Sequence, residues 1–490
     1  MAVERERETG RTCPRLVIRD AMVVSGRGTP AEGPMDLVIG GGVIQDVIRV
    51  DPVTLGRYPS GWRRPEGDYV IDASGMYVMP GIVDTHAHIP TDPSRCGPDG
   101  WDYAYRLWLG HGVTTLRTMG FGNEAVLYGH RRQVKEDGTV AIPGLVILHG
   151  WPQPSRFTPA QAREEVRRAH EAGADGIKLL TIEPDLLEAI CDEARNLGMP
   201  AGVGIHLALN SEVDAATASN AGVRTIEHTY GIPEAAIPGV QNFPPVYNEM
   251  DELARFRQSG YNWSEAERYP ERVVGVLDTM IRNGTAWNPT LSVYEANRDL
   301  MRAQRAVWND SFVTPRLLKN WSPTPGVHAS FHFDWRTSDE VAWKEKYRLW
   351  MKYLNVFFDR GGTITAGSDA GSLYTLYGFS MVRELELLQE AGFHPLDAVK
   401  MATANGASVL GLNDRAWGIR VGAPADLAVV DGNPLENFKV MYGTGVERFL
   451  DDRVTKVQAG GVRWTIRGGV VFDARALLQD VQEYVRSLKA

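Results

Sequence analysis

Residues 81–90 read GIVDTHAHIP, and they place His86 and His88 directly after a run of apolar residues. The i, i+2 spacing turns both imidazoles to the same side of an extended chain, so the pair could share one metal ion. A single histidine after a strand is more often an ordinary hydrogen-bonded residue than a ligand. Whether this pair binds a metal therefore depends on what the rest of the chain offers.

Eight short apolar runs with the character of β-strands recur from residue 77 onward, and amphipathic helical patterns separate several of them. They read YVMPGIVDTH, GVTTLRTMG, GLVILHG, ADGIKLLT, PAGVGIH, VRTIEHT, GTAWNPTL and GTITAGSD. Helical stretches such as PAQAREEVRRAHEAG end in glycine, as the C-terminus of a helix often does. Repeated β-then-α order with eight strands predicts an α/β fold with a parallel (β/α)8 barrel of the TIM type.

Both chain ends have a different pattern, with short alternating strands and glycine-rich turns. We predict a small β-sandwich domain built from residues 1–80 and 419–490, which ends in a helix, around a barrel of residues 81–418. This barrel exceeds the roughly 250 residues typical of the fold. The excess lies in two aromatic insertions, 232–285 and 295–360, which could form a substrate lid, a subunit interface or ordinary helical packing.

The composition limits the kinds of partner that the protein could have. Of its 490 residues 43% are hydrophobic and 23% charged, as in a folded globular protein. The net charge of −9, without a long Lys/Arg cluster, argues against nucleic acid and membranes as partners. A charged N-terminus, MAVERERETGRT, and the lack of a long apolar segment predict a cytoplasmic location. Only three, widely spaced cysteines are present, so any metal would need nitrogen and oxygen ligands.

Three more strand candidates end in residues that can bind metals. His206 ends PAGVGIH, His228 ends VRTIEH and Asp369 ends GTITAGSD. Because the C-terminal ends of barrel strands surround one open site, these residues should meet His86 and His88 there. Neutral imidazoles and carboxylates suit zinc well, so the sequence predicts a metal site.

Lys178 lies between Ile177 and Leu179 in a strand that should be buried. An unpaired buried ammonium would cost several kcal/mol. Burial lowers the pKa of a lysine and favours the neutral amine, which can take up carbon dioxide to form a carbamate whose two oxygens can bridge two cations. The alternative is a lysine that reaches solvent or pairs with an acid.

The order of these residues resembles the amidohydrolase superfamily in its two-metal, carboxylated-lysine form: HxH after strand one, Lys after strand four, His after strands five and six, and Asp after strand eight. Family members of the imidazolonepropionase and Xaa-Pro dipeptidase kind have similar sequences in four further stretches: AGVRTIEHTYG, AGSDAG, MATANGASVLGL and GAPADLAVVDGNPLENF. These motifs are specific for the superfamily but indicate little about the substrate.

The resemblance implies a centre of two divalent metal ions, with zinc as the expected metal. One ion would be held by His86, His88 and Asp369, the other by His206 and His228, and an N6-carboxylated Lys178 would bridge them. A hydroxide between the ions would attack an amide (C–N) bond, as in an N-acyl amino acid, a dipeptide or a cyclic amide. Asp369 would serve as the general base and then as the acid for the departing amine.

Three further residues could contact the substrate. Tyr230, two residues after His228, could donate a hydrogen bond to the oxyanion, or could simply pack in a loop. His149 ends GLVILHG and could touch substrate or steady a ligand. Arg117 in TTLRTMG could pair with a substrate carboxylate or serve as a structural ion-pair partner.

Two other functions compete with a two-metal amide hydrolase. One is a one-metal deaminase or imidazolonepropionase-type hydrolase of a nitrogen heterocycle; family deaminases usually carry a glutamate three residues after the fifth-strand histidine, where this chain has Leu209. The other is a catalytically silent relative kept for binding or assembly, although this chain retains all six ligand positions. The aromatic insertions also make a homo-oligomer conceivable.

Overall fold

The computed structural model of the protein describes residues 7–51, 53, 56, 64–91, 99–120, 122–152, 157–209, 212–239, 252–324, 332, 334–371, 373–412, 417–451 and 453–490. Its strands, in chain order, are β1 (Arg15–Val23), β2 (Glu32–Gly40), β3 (Val43–Arg49), β4 (Tyr69–Asp72), β5 (Tyr77–Pro80), β6 (Ile82–Ala87), β7 (Val113–Met119), β8 (Gly144–Gly150), β9 (Gly176–Leu179), β10 (Gly202–His206), β11 (Thr225–Glu227), β12 (Ala286–Asn288), β13 (Leu427–Asp431), β14 (Val446–Phe449), β15 (Lys456–Ala459), β16 (Gly461–Arg467) and β17 (Val470–Asp473).

The helices are α1 (Trp101–Leu109), α2 (Glu124–Glu136), α3 (Pro159–Ala172), α4 (Pro184–Asn196), α5 (Ala215–Ala221), α6 (Ile232–Ala236), α7 (Glu252–Ala266), α8 (Pro270–Asn283), α9 (Glu295–Arg298), α10 (Leu300–Gln304), α11 (Asn309–Phe312), α12 (Pro315–Trp321), α13 (Thr337–Asp359), α14 (Phe379–Glu390), α15 (Pro395–Lys400), α16 (Gly406–Val409) and α17 (Ala474–Lys489). Within the described residues, no helix is both long enough and apolar enough to cross a lipid bilayer.

Seven parallel strands form the barrel sheet, in the order β6 to β12, so that neighbours in the sheet are also neighbours in sequence. The segment 364–370 closes this sheet, because Ile364 bridges to Trp287 of β12 and Ala370 bridges to Ala87 of β6. It makes isolated bridges rather than a regular ladder. The predicted α/β barrel is confirmed, with the eighth strand position taken by this less regular segment.

Local sequence signals explain the helices that follow the strands. Thr158 and Gln161 form a capping box at the start of α3, and Gly173 ends it in the left-handed conformation with φ +104°. A residue with a Cβ would be strained at this φ, so the glycine that the pattern marked as a helix end serves that purpose. The prediction for this helix is confirmed.

The two chain ends build one sheet, in the order β17-β16-β13-β5-β1-β2-β3, with β4 paired to β1. β5, from the N-terminal part, is antiparallel to β13, from the C-terminal part. Leu16 and Ile39 share a buried apolar cluster with Val429 and Ile466, so this sheet has its own core. The stretch YVMPGIVDTH is two strands rather than one: β5 belongs to this sheet, and β6 begins the barrel.

The insertions cover the barrel with aromatic residues. Within the described parts, Trp343 and Trp350 of α13 are fully buried, and the Trp343 ring stacks on Tyr294 at a centroid distance of 5.7 Å. Trp263 of α7 stacks on Tyr353 at 5.3 Å. These rings therefore form a core between helices. This arrangement corresponds to ordinary helical packing, one of the three roles that the sequence left open for the insertions. Self-association of the protein stays a prediction.

Candidate metal centre

His86 and His88 meet Asp369 at the C-terminal end of the barrel. Nε2 of His88 lies 2.9 Å from Oδ1 of Asp369, and Nε2 of His86 lies 3.5 Å from the same oxygen. One ligand atom from each of the three residues fits within 4.8 Å of the others, as metal binding requires. Burial lowers the pKa of His86 to about 4, so its ring is neutral at pH 7 and can act as a ligand.

His228 reaches this cluster because its backbone leaves the regular strand conformation. Its φ of +65° is uncommon for a residue with a side chain, and Asp369 has a similar φ of +50°. The Thr290 hydroxyl donates to the Pro289 carbonyl at 2.7 Å, so its oxygen accepts from Nδ1–H of His228 at 2.5 Å. This hydrogen bond leaves Nε2 of His228 with the lone pair that a metal would need.

His206 ends β10 beside His228, with the two rings 4.4 Å apart between centroids. The His86 and His228 rings are 4.7 Å apart, so the imidazoles form a continuous group. Burial lowers the pKa of His206 and His228 well below the usual range, so both rings are neutral. Burial alone would raise the pKa of Asp369, but the neighbouring imidazoles, His86 first, lower it well below its usual range, so this carboxylate is ionised.

Lys178 is buried inside the barrel at the fourth barrel strand. It pairs in register with Gly150 of β8 and Gly204 of β10, which leave room for its chain. Among the described residues its Nζ has no hydrogen-bond partner. Burial lowers its pKa to about 8, and Glu227 and Asp369 partly oppose this shift. A buried amine without a partner, close to neutral imidazoles and an ionised carboxylate, fits the carboxylated bridge of a metal centre.

Glu227 was not predicted from the sequence. It forms a hydrogen bond with Nδ1 of His86, the ring nitrogen that does not face Asp369. Its carboxylate is fully buried and accepts from Nδ1 of His86 at 2.9 Å and from Asn288 at 2.9 Å. Arg117 donates to both carboxylate oxygens, at 2.8 and 3.0 Å. Because an ionised carboxylate only accepts, Nδ1 of His86 carries the proton and Nε2 is free to bind a metal.

Arg117 contacts Glu227, on the side of His86 that is turned away from Asp369. Its side chain is fully buried, and Nη1 and Nε also donate to Thr225 and to the Thr85 carbonyl. The geometry thus corresponds to the structural ion pair, the second of the two interpretations of this residue. A substrate carboxylate could pair with Arg117 only by displacing Glu227.

Asp84, within the opening GIVDTHAH motif, holds the strand ends together. It accepts hydrogen bonds from the backbone N–H of Ser368 at 2.9 Å and of His86 at 3.2 Å, and from the Trp108 indole at 3.1 Å. Burial raises its pKa to about 6, although these donors oppose the shift. Asp84 and Glu227 share one sequence signal, an acidic residue in an apolar strand one or two positions before a predicted ligand histidine.

Of the other two predicted substrate contacts, Tyr230 lies in the histidine cluster and His149 lies outside it. The Tyr230 ring lies 5.3 Å from the His206 ring and is 3% exposed, so it belongs to the cluster. His149 pairs in register with Ile177, the neighbour of Lys178, and so faces the helix layer instead of the barrel interior. There it contacts Glu124 of α2 at 2.9 Å and Glu165 of α3 at 3.2 Å. The side chain of Leu209 lies outside the described part.

Comparisons with known proteins agree with this geometry. Among curated proteins, a 5-methylthioadenosine/S-adenosylhomocysteine deaminase from Symbiobacterium thermophilum is 27% identical over 255 residues, 44% of this chain and 55% of the relative. Adenine deaminase 2 from Rhizobium meliloti is 29% identical over 141 residues, 26% of this chain and 22% of the relative. The chain therefore spans about half or less of the length of these relatives.

Solved structures share the fold over almost the whole chain. A Xaa-Pro dipeptidase with bound methionine superposes with a TM-score of 0.61 at 18% identity, covering 94% of this chain and all of the other. A bottromycin amidohydrolase superposes with a TM-score of 0.65 at 19% identity, covering 99% and 91%. The sequence profile of the amidohydrolase family matches residues 77–255 and 352–463, more than half of the chain. This protein therefore belongs to the amidohydrolase family.

Proposed function

We propose that this protein is a hydrolase that uses two divalent cations, zinc being the expected metal, to cleave an amide bond in a small molecule. The observation that carries the proposal is Lys178, a buried amine without a described hydrogen-bond partner, beside the four histidines and an ionised carboxylate. One cation alone would leave this amine unexplained. A carboxylated Lys178 that helps to hold two cations would account for it.

The residues divide into two binding sets. His86, His88 and Asp369 would hold one cation, His206 and His228 the other, and the carboxylated Lys178 both. When bound, the cations would make a nucleophile available from water near neutral pH and polarise the substrate carbonyl. The protein's own contribution is the fixed direction of each lone pair, which Glu227 provides for His86 and Thr290 provides for His228.

Proton movement would depend on Asp369, and oxyanion stabilisation on Tyr230. The Asp369 carboxylate would accept the proton of the attacking water and return it to the leaving nitrogen. Burial raises the pKa of Tyr230, so its phenol stays protonated and can donate to the oxyanion. Both residues lie beside the histidine rings: Oδ1 of Asp369 is 2.9 Å from Nε2 of His88, and the Tyr230 ring is 5.3 Å from the His206 ring.

A second candidate function is a one-metal deaminase or imidazolonepropionase-type hydrolase of a nitrogen heterocycle. The observation in its favour is that both curated relatives described above are deaminases. Against it stand Leu209, at the position where family deaminases carry a glutamate, and the buried Lys178. A catalytically silent protein would not need neutral imidazoles aligned by hydrogen bonds.

Metal analysis and a turnover screen together distinguish these functions. Two tightly bound ions per chain are expected, one would favour the deaminase, and fewer than one would favour the silent protein. The loaded enzyme should then be assayed against acylated amino acids, dipeptides and cyclic amides, with adenine nucleosides as the competing class. His228→Ala should lose an ion, whereas His394→Asn, at the surface cap of α15, should retain both.

A further inference from the structure

A cleft of about 1180 Å³ lies away from the histidines, between α14, the helical segment 295–312, the β14–β15 hairpin and α17. Among the described residues that line it, none is one of the six predicted metal ligands. Its volume is somewhat larger than the roughly 300–1,000 Å³ of typical ligand pockets, so a small organic molecule would fill only part of it. It therefore forms a second concavity that the proposed reaction does not use.

Three of the aromatic residues that line the cleft, Trp308, Phe379 and Tyr442, pack together, and we call them the aromatic floor. Trp308 stacks on Phe379 at a centroid distance of 5.1 Å and an angle of 28°, and it lies 5.5 Å from Tyr442. Phe379 is buried beneath them, whereas Trp308 is half-buried. Packed rings with one face partly open suit a planar apolar ligand group.

Positive charge exceeds negative charge around this floor. The basic residues that line the cleft are Arg302, Arg305, Arg383, Lys439, Lys456 and Arg475, and the acidic ones are Glu295, Glu386 and Glu447. Each acid is already paired with a base: Arg383 with Glu295 at 2.6 Å, Lys456 with Glu447 at 3.2 Å, and Lys439 with Glu386.

Two arginines of the cleft remain available to a ligand. Among the described residues, neither Arg305 nor Arg475 forms an ion pair with a lining carboxylate, although Asp431 and Asp473 act on the charge of Arg475 from outside the cleft lining. Arg475 donates one hydrogen bond to the Gly460 carbonyl at 3.0 Å, and both side chains are exposed. A guanidinium pairs well with a carboxylate because its fork of N–H groups matches the two oxygens.

We propose that this cleft is a second ligand site, for a small aromatic carboxylate. The ring would lie on the aromatic floor, and the carboxylate would pair with Arg305 or Arg475. The inner wall of the cleft includes Ser292 and Thr375, whose hydroxyls donate to the backbone carbonyls of Ser368 at 3.1 Å and Asp369 at 3.3 Å. A bound molecule would thus touch the back of the segment that carries Asp369.

Isothermal titration calorimetry on the metal-loaded, full-length protein tests this site, with indole-3-acetate and its neutral isostere indole-3-acetamide as probes. The acid should bind once per chain, at least about tenfold more tightly than the amide. The Arg305→Gln/Arg475→Gln double variant should bind both probes equally weakly, and Trp308→Ala should weaken both. Arg282→Gln, an exposed arginine of α8 outside the cleft, should behave as the wild type.

Four results would overturn the proposal. These are no binding of the acid at millimolar concentration, equal affinity for acid and amide, unchanged affinity in the double arginine variant, and loss of acid binding in His228→Ala. The last result would locate the probe at the metal centre. Because both arginines are exposed, the double variant should fold, and circular dichroism checks this. The outcome does not depend on whether the protein hydrolyses amides.

Discussion

Glu227→Gln is the perturbation that best separates stability from metal binding. In the wild type, one fully buried carboxylate neutralises Arg117 and accepts the Nδ1 proton of His86. Burial would raise the pKa of Glu227, but Arg117 and His86 lower it well below the usual range, so it is an anion. Glutamine offers one acceptor oxygen with two lone pairs, an NH2 that only donates, and no charge, so it cannot accept all the hydrogen bonds that Arg117, His86 and Asn288 donate to Glu227.

The expected magnitudes follow from this burial. Breaking a buried ion pair by removing one partner costs about 3–5 kcal/mol, because Arg117 stays charged away from water. Loss of the anionic acceptor behind a ligand histidine should weaken metal binding by about 10–100-fold. The first quantity is measured by urea unfolding of the metal-depleted protein. The second is measured by competition with a chromophoric chelator.

Two further variants make the result interpretable. Arg117→Met/Glu227→Gln removes both charges and should recover most of the stability, since no unpaired charge is then left buried and the oxygen of the introduced glutamine can accept from His86 or Asn288. His86 still lacks its anionic acceptor there, so metal binding should remain weak. Glu345→Gln, in the exposed pair with Arg348, should change the free energy of unfolding by at most about 1 kcal/mol. Wild-type metal affinity in the double variant would refute the role assigned to Glu227.

Three more predictions concern the metal centre. Lys178→Ala should lose one of two ions and nearly all turnover. Acetate or propionate should restore part of the turnover, and full activity without such a carboxylate would rule out the carbamate. Asp369→Asn should still bind metal measurably but turn over about 10²–10⁴-fold more slowly, and wild-type turnover would remove it as the proton carrier. Chelator treatment should lower the free energy of unfolding, and zinc at 1,000 times its Kd should restore about 4 kcal/mol. Thermal melts measure both changes, and an unchanged melting temperature would contradict a buried metal centre.

The positions of most strands and the chain order of the predicted metal ligands could be read from sequence alone. Apolar runs and helix caps act over a few residues, so the barrel order and the end of α3 at Gly173 follow from local chemistry. His86, His88, His206, His228 and Asp369 could likewise be found at predicted strand ends. The parallel barrel then brings these ends together, because all its strands point the same way.

The side-chain contacts of the neighbouring residues were decided by the tertiary structure. For Arg117 and His149 the sequence left a substrate contact open beside a structural role. Pairing register turns His149 toward the helices, and the buried Glu227 forms an ion pair with Arg117. His228 joins the cluster through a left-handed backbone that no local pattern marked. The sequence determined which side chains lie at the C-terminal end of the barrel. Which of their atoms face one another depends on strand register, backbone conformation and burial, because these arise only when distant segments pack.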